Sequence, residues 1–357
     1  MAADARSADL AAIATRFRLF AEKEAAGYSP LYERLALAVA DDDELLALAS
    51  HAPPGQPYPN MLLAAVHYLL LRGARHPLRR LYPSLEPAGG VREPAAGSED
   101  PFPAFRDFCL AHASEIAALL ATRRVQTNEV GRSACLLPAF NHVASISNAA
   151  LALIEIGASA GLNLLCDRYH YDYGDLGTAG DPAAGVRLRC EVGGGNRPRV
   201  EAVPAIAFRA GCDVNVIDVT DADERLWLRA LVWPEHAERA ANLEAAMEIA
   251  RSAPPLLLEG DGVELLPSLL EMAPADLTVC IFHSFVFNQM PAERIARFYE
   301  ILAEQARKCP IFDLSFEHRP GTLGNPTIEM ARCVRGEWRR AVLARCHPHG
   351  SSMEWLL

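Results

Sequence analysis

The sequence has no hydrophobic run long enough to cross a bilayer. Its longest candidate, Met61 to Leu71, is interrupted by His67 and falls well short of the roughly 20 apolar residues that a spanning helix needs. No basic stretch followed by an apolar core opens the chain, so neither export nor membrane insertion is expected, and a cytoplasmic location is. Positive charge is in deficit too. A formal net charge of -11 over 357 residues argues against general affinity for nucleic acid or an anionic membrane surface and leaves a small-molecule ligand as the expected partner. The nine cysteines, at 109, 135, 166, 190, 212, 280, 309, 333 and 346, contain no C-x-x-C pair. That pattern suits reduced, buried thiols better than a disulfide framework or a zinc site, and no metal is expected. Internal repeats and low-complexity tracts are missing, and so is any convincing strand pattern before residue 150.

What remains is ample material for a core: 51% hydrophobic and 22% charged residues, in a length that suggests about two domains. Residues 1–149 read as a helical domain. Leu10, Ile13, Ala14 and Phe17 recur at helical spacing, Leu31 to Val39 form a second helix, and an apolar helix runs from Asn60 to Arg72. Glu86 to Pro103, rich in Pro, Gly and Ala, reads as a long loop; a helix follows over Ala104 to Thr122, then another from Glu129 to Leu137 that Pro138 ends. From residue 150 onward apolar runs alternate with helical stretches, the pattern of an α/β domain with a parallel sheet over 150–357. An insertion about 169–204 interrupts it, where Val186 to Val192 alternates and Gly193 to Gly195 turns, as in an added β-hairpin.

The chain is organised around Leu151-Ala-Leu-Ile-Glu-Ile-Gly-Ala-Ser-Ala-Gly-Leu-Asn-Leu164, which reads as strand, tight turn and helix. Such a turn is expected to leave unpaired backbone N–H groups at the N-terminus of the helix announced by Leu162, Leu165 and Tyr169. Two chemistries use that geometry. In a nucleotide loop, Gly157 and Gly161 shape a cradle and Glu155 takes a hydroxyl or an ammonium. In a nucleophile elbow, Ser159 attacks an acyl group. Ligands of open α/β sheets lie outside the carboxyl ends of the strands, which singles out Glu155, Ser159, Asn163, Asp213, Asp261, His283, Ser284, Glu317 and His318. Each of these also suits a turn or a helix cap.

Glu155-Ile-Gly-Ala-Ser-Ala-Gly161, an acidic residue after a second strand, and Leu258-Glu-Gly-Asp261 after a third resemble the first three motifs of Rossmann-like S-adenosylmethionine-dependent methyltransferases, over about residues 150–320. A second resemblance covers most of the chain. Gln126-Thr-Asn-Glu-Val-Gly-Arg132, Glu155 to Leu164, Trp227-Leu-Arg-Ala-Leu-Val-Trp-Pro234 and Phe282-His-Ser284 together resemble a bacterial family catalogued as a domain of unknown function, with no established activity to carry over. The methyltransferase resemblance implies S-adenosylmethionine as cofactor, with Glu155, Gly157 and Gly161 near its methionyl part, Ser159 and Asn163 on the same loop, and Asp261 facing the adenine. Asp172, Glu191 and Asp213 compete for the ribose; Asp213 is preferred because Gly211-Cys-Asp-Val-Asn215 imitates a strand end. His283, with Ser284 beside it, is the best placed base for an oxygen or carboxylate acceptor.

Two alternatives stay open. Ser159, Asp261 and then His283 or His318 follow the Ser, acid, His order of α/β-hydrolases, although the helical first half supplies neither the preceding strands nor an oxyanion segment. A protein that binds ligand without turnover is the other. In the first reading Asn128, Glu129 and Arg132, gathered before the onset of strands, form a cap over the glycine loop that shields it from water.

Overall fold

The computed structural model describes residues 2–85, 100–307, 310–319, 324–334 and 337–357. The loop expected from Glu86 to Pro103 therefore lies, over residues 86–99, outside the described residues, as does Cys309. The helices are α1 (Ala2–Phe20), α2 (Pro30–Val39), α3 (Asp43–Ala49), α4 (Tyr58–Leu71), α5 (Phe102–Ala111), α6 (Ala113–Thr122), α7 (Ser133–Ser147), α8 (Ala222–Leu231), α9 (Ala237–Ser252), α10 (Gly262–Met272) and α11 (Ala292–Gln305). The strands are β1 (Leu151–Ile156), β2 (His170–Asp172), β3 (Thr178–Ala179), β4 (Arg187–Arg189), β5 (Glu191–Gly193), β6 (Ile206–Asp213), β7 (Leu256–Glu259), β8 (Thr278–Ser284), β9 (Ile311–Glu317), β10 (Thr327–Val334), β11 (Glu337–Cys346) and β12 (Ser352–Trp355). The single helix expected over Ala104–Thr122 is two, broken at His112.

Two compact units divide the chain: Met1–Thr127 with Ala222–Ala240, and Asn128–Asp221 with Ala241–Leu357. In the helical unit, α4 is apolar on all sides and buried from Met61 to Leu70, as a helix without a polar stripe must be. Its His67 is tolerated because the ring nitrogens meet Ala230 O and Ser84 Oγ at 3.0 and 2.7 Å; burial pushes the imidazole down to about 3, which keeps it neutral. The Trp227 ring lies 5.9 Å from Tyr68 and its Nε1 donates to Arg124 O, while Trp233 packs against Phe20, Tyr28 and Tyr32. Those indole contacts draw Ala222–Ala240 into the helical unit. Conversely α7 packs on the sheet, with Phe140 edge-on to Phe282, so packing separates the units before Asn128, not at the onset of strands.

The second unit holds a nine-stranded sheet in the order β5-β12-β11-β10-β9-β8-β1-β6-β7. From β7 to β9 the strands are parallel, and their chain order there is third, second, first, fourth, fifth; β10, β11 and β12 continue antiparallel. The succession reverses between β1 and β8, which makes that junction the switch point of the sheet. Alternation assigns the two faces. Ala152, Ile154, Ile156, Ala210, Cys212, Val279 and Ile281 form a core with Val263 and Leu266 of α10 and Phe298 and Leu302 of α11. Leu153, Glu155, Gly211, Phe282 and Ser284 therefore face the α7 side.

The insertion holds one antiparallel pair, β2 with β3 across the 173–177 turn, but the Val186 to Val192 run does not form the hairpin expected of it. Arg187–Arg189 pairs parallel with β2 in a separate three-stranded sheet, β3-β2-β4, and Glu191–Gly193 pairs parallel with β12 at the edge of the large sheet. An alternating run carries no record of its partner, and here one run serves two sheets. Pro138 likewise does not end a helix; it lies inside α7. Its missing N–H would have bonded Ala134 O, and the Tyr173 hydroxyl donates to that carbonyl instead, at 2.8 Å.

Candidate functional site

Three residues with positive φ follow β1: Gly157 (74°), Ser159 (54°) and Gly161 (70°). They fold the chain over the end of β6. Gly157 N and Ala158 N donate to Cys212 O at 2.9 and 3.0 Å, Ser159 N donates to Asp213 Oδ2 at 2.9 Å, and Leu162 N donates to Asn128 Oδ1 at 3.0 Å. Both glycines are demanded by their surroundings: a Cβ on Gly157 would overlap Val286, and one on Gly161 would come within 2.7 Å of Pro255. Donors expected to be unpaired are thus taken by Cys212, Asp213 and Asn128. Nor does an α-helix follow. Leu162–Arg168 is 3-10, kinked at Leu165. Tyr169 and Tyr171, on one side of an extended stretch, donate to Leu162 O and Cys166 O at 2.6 and 2.5 Å and so capture carbonyls that an α-helix would use.

Glu155 stands on the α7 face, 1% exposed. Burial pushes its carboxyl well above the ordinary carboxylate range; Asp213 adds to the rise, and Asn163 and Arg132 oppose it. Ser133 Oγ donates to Asn163 Oδ1 at 2.8 Å. Glu155 Oε2, Ser159 Oγ and Asn163 Nδ2 are buried and have no hydrogen-bond partner among the described residues. Three such atoms, one on β1 and two on the segment that follows it, call for water or a ligand, because a buried polar atom left unbonded costs about 1–3 kcal/mol.

The Asn128 to Arg132 turn adjoins this cluster. Arg132, 9% exposed, donates through Nη1 to Ser284 Oγ and through Nε to Pro348 O, each at 3.1 Å, and its guanidinium carbon lies 4.3 Å from the Phe285 ring centroid. Glu129 Oε2 meets His349 Nδ1 at 3.1 Å and its other oxygen accepts Gly131 N. A Cβ on Gly131 or Gly350 would overlap the backbone of the opposing turn. Asn128, Glu129, Arg132, Glu155, Gly157, Ser159, Gly161, Asn163, Asp213 and Ser284 are therefore brought together.

Other candidates stand apart. His283 is one residue out of phase with Glu155 in the sheet and is fully buried on the α10–α11 face, stacked on Phe287 at 3.7 Å and bonded through Nδ1 to Glu317 Oε1 at 2.9 Å. Asp261 caps α10, accepting Val263 N and Glu264 N at 2.8 and 3.2 Å, and pairs with Arg294. Partial burial works against its charge, but those amides and Arg294 hold its carboxyl below the ordinary range. Asp172 accepts Gly174 N within the small sheet, Glu191 is exposed on edge strand β5, and the His318 ring nitrogen reaches Gly324 O. Of the three acids weighed for a ribose, only Asp213 meets the glycine loop. Among the described residues no group of three or more His, Cys, Asp or Glu could hold a metal ion, and the cysteines are free and buried. No described helix is long and apolar enough to cross a membrane.

Residues 14–355 match the family described as uncharacterized protein conserved in bacteria, DUF2332. The chain belongs to this family. No curated protein and no solved structure shows significant similarity to it. The DUF2332 match takes in both compact units, the glycine loop and one further part of the cluster that residue patterns did not point to, the His347-Pro-His-Gly350 turn between β11 and β12. Its signal in the sequence is only that of a polar turn between two strands; that it reaches Arg132 depends on a sheet order no local pattern records. Asp313, buried on β9 with Oδ1 3.6 Å from His283 Nε2, was hidden because a single acid in an apolar strand reads as noise.

Proposed function

We propose that this DUF2332 protein is an S-adenosylmethionine-dependent methyltransferase acting on a small-molecule or side-chain acceptor, with its cofactor over the 157–162 loop. The observation that carries the reading is the clasp between that loop and Asp213. In a sheet with this parallel order, the turn after the first strand borders the β1–β8 crevice where doubly wound sheets bind nucleotides, and the acid ending the second strand holds that turn from the β6 side. The same order supports a Rossmann-like, methyltransferase-type sheet.

The residues present fit such a group. Glu155 Oε2, Ser159 Oγ and Asn163 Nδ2 are buried polar atoms still lacking partners, and an amino-acid end bearing both ammonium and carboxylate complements them. Glu155 and Asn163 would hold that end, Asp213, whose oxygens also accept Ser159 N and Asn215 N, the ribose hydroxyls, and Asp261, which caps α10 through Oδ1, the adenine side. When bound, the cofactor supplies a methyl group on a sulfonium centre. The chain itself holds the loop still through Asn128 and Asp213 and offers Arg132 and Ser284 to orient an acceptor. Ser284, on the Glu155 face, suits the acceptor side better than His283, which is enclosed on the other face.

Calorimetry with S-adenosylhomocysteine tests this. The wild type should bind in the micromolar range, and Asp213→Ala should weaken binding by about 1.5–3 kcal/mol, the range for hydrogen bonds to a charged group. A folded wild type that takes up no ligand at millimolar concentration sinks the proposal. An esterase reading has one point in its favour, the positive φ of Ser159, as in a strained elbow. Against it, Ser159 Oγ is hydrogen-bonded to no base, and no strand precedes β1 among the described residues. A fluorophosphonate probe should leave the protein unlabelled; stoichiometric labelling lost in Ser159→Ala reverses the ranking. Binding without methyl transfer to any acceptor would support the inert ligand-binding alternative.

A further inference from the structure

One carboxylate outside the proposed site holds the turn that builds two of its walls. Glu317 ends β9 on the α10–α11 face, 8% exposed, and its Oε1 accepts three donors: His283 Nδ1 at 2.9 Å, Val286 N at 2.8 Å and Phe287 N at 3.1 Å. The turn so held is strained. Phe285 has φ 58°, a left-handed conformation that a bulky side chain adopts only when its surroundings impose it. Phe285 N is fixed to Phe316 O at 3.1 Å, and the next two amides are fixed by Glu317. Asp313 stands beside His283 without a hydrogen bond to it, Oδ1 lying 3.6 Å from Nε2, and its Oδ2 accepts the Tyr299 hydroxyl at 2.9 Å; Arg340 reaches that hydroxyl at 3.2 Å. At the end of the sheet, Val286, packed against the α10–α11 core, occupies the space that a Cβ on Gly157 would need, and on the α7 side Ser284 and Phe285 receive Arg132.

We propose that Glu317 is a positioning residue for the site. By clamping the strained Ser284–Phe287 turn from the opposite face of the sheet, it sets the support beneath Gly157 and the wall that receives Arg132. This rests on the location of the site proposed above, not on the identity of its ligand.

Hydrogen exchange on the full chain tests it with Glu317→Ala, Glu317→Gln and Val286→Ala. In Glu317→Ala, exchange at residues 285–289 and 157–162 should rise at least tenfold while the centre of β1 and β8 stays protected. Glu317→Gln keeps a carbonyl acceptor for the two amides and should restore most of that protection, a rescue that mere filling of space does not predict. Val286→Ala leaves the clamp in place and should loosen 157–162 alone. Unchanged exchange at 157–162 in Glu317→Ala, or a Gln variant as exposed as the Ala variant, overturns the proposal. Should Glu317→Ala not fold, unchanged exchange at 157–162 in Val286→Ala overturns it as well. S-adenosylhomocysteine affinity, measured alongside, should fall at least tenfold in Glu317→Ala. A wild type that binds none of it while exchange behaves as described removes the cofactor and leaves Glu317 in its role.

Discussion

Glu155 shows what a single residue costs and what it implies. Its carboxyl is raised above the ordinary 4.5 by burial, so the folded chain holds that proton more tightly than the unfolded chain does. Stability from this group is fully present below the unfolded value and is lost as pH rises through the folded one. Glu155→Gln, which cannot ionise, should match the wild type in thermal midpoint near pH 4 and exceed it increasingly toward pH 8. Equal midpoints at both ends would mean that the carboxylate already has a partner when folded. Asp313 is raised for the same first reason, burial, so the wild-type curve alone cannot isolate Glu155 and the difference between the two proteins is the quantity to read. At this scale the sequence was informative about identity and silent about environment: a Glu in an apolar strand is visible, but whether anything meets it is not.

At the scale of elements, α7 and the 162–168 segment depend on tyrosines from the insertion. Tyr169, Tyr171 and Tyr173 alternate along one side, and each hydroxyl takes a backbone carbonyl: Leu162 O and Cys166 O, which an α-helix would have used, and Ala134 O, which Pro138 leaves open. Tyr173→Phe strands Ala134 O and should cost about 1–3 kcal/mol in urea unfolding. In a Pro138→Ala background the restored N–H can serve that carbonyl, so the same substitution should cost much less. Strict additivity in the cycle would show that Tyr173 does not compensate for the proline. The expectation of a helix stop at Pro138 failed for this reason: a proline ends a helix only where nothing else satisfies the carbonyl it orphans.

For the whole molecule, ligand binding and stability are linked. If S-adenosylhomocysteine binds the folded state alone, a concentration of 100 Kd adds about 2.7 kcal/mol to the unit that carries the loop, and its unfolding midpoint should rise with the logarithm of ligand concentration. A midpoint unmoved at concentrations that saturate calorimetric binding would mean that the ligand binds the unfolded chain as well. The acidic net charge adds an expectation of no comparable rise with duplex DNA.

Local periodicities determined much of this protein from the sequence alone. Apolar residues at helical spacing identified α1, α2 and α4, apolar runs ending in polar residues marked β1, β7, β8 and β9, and glycines with small neighbours marked the turn after β1. Those signals lie within one or two turns of chain, and the physics behind them, burial of one stripe or one face, acts locally. Tertiary structure alone decided the rest. His283 and Glu155 lie on opposite faces because of the register between β1 and β8, and a shift of one residue would have put them together. Ala222–Ala240 joins the helical unit because its indoles find partners there, and Arg132 meets Pro348 across 216 residues of sequence. The 3-10 turn after the glycine loop is imposed by hydroxyls from Tyr169 and Tyr171, which compete for carbonyls that its own sequence would have spent on an α-helix.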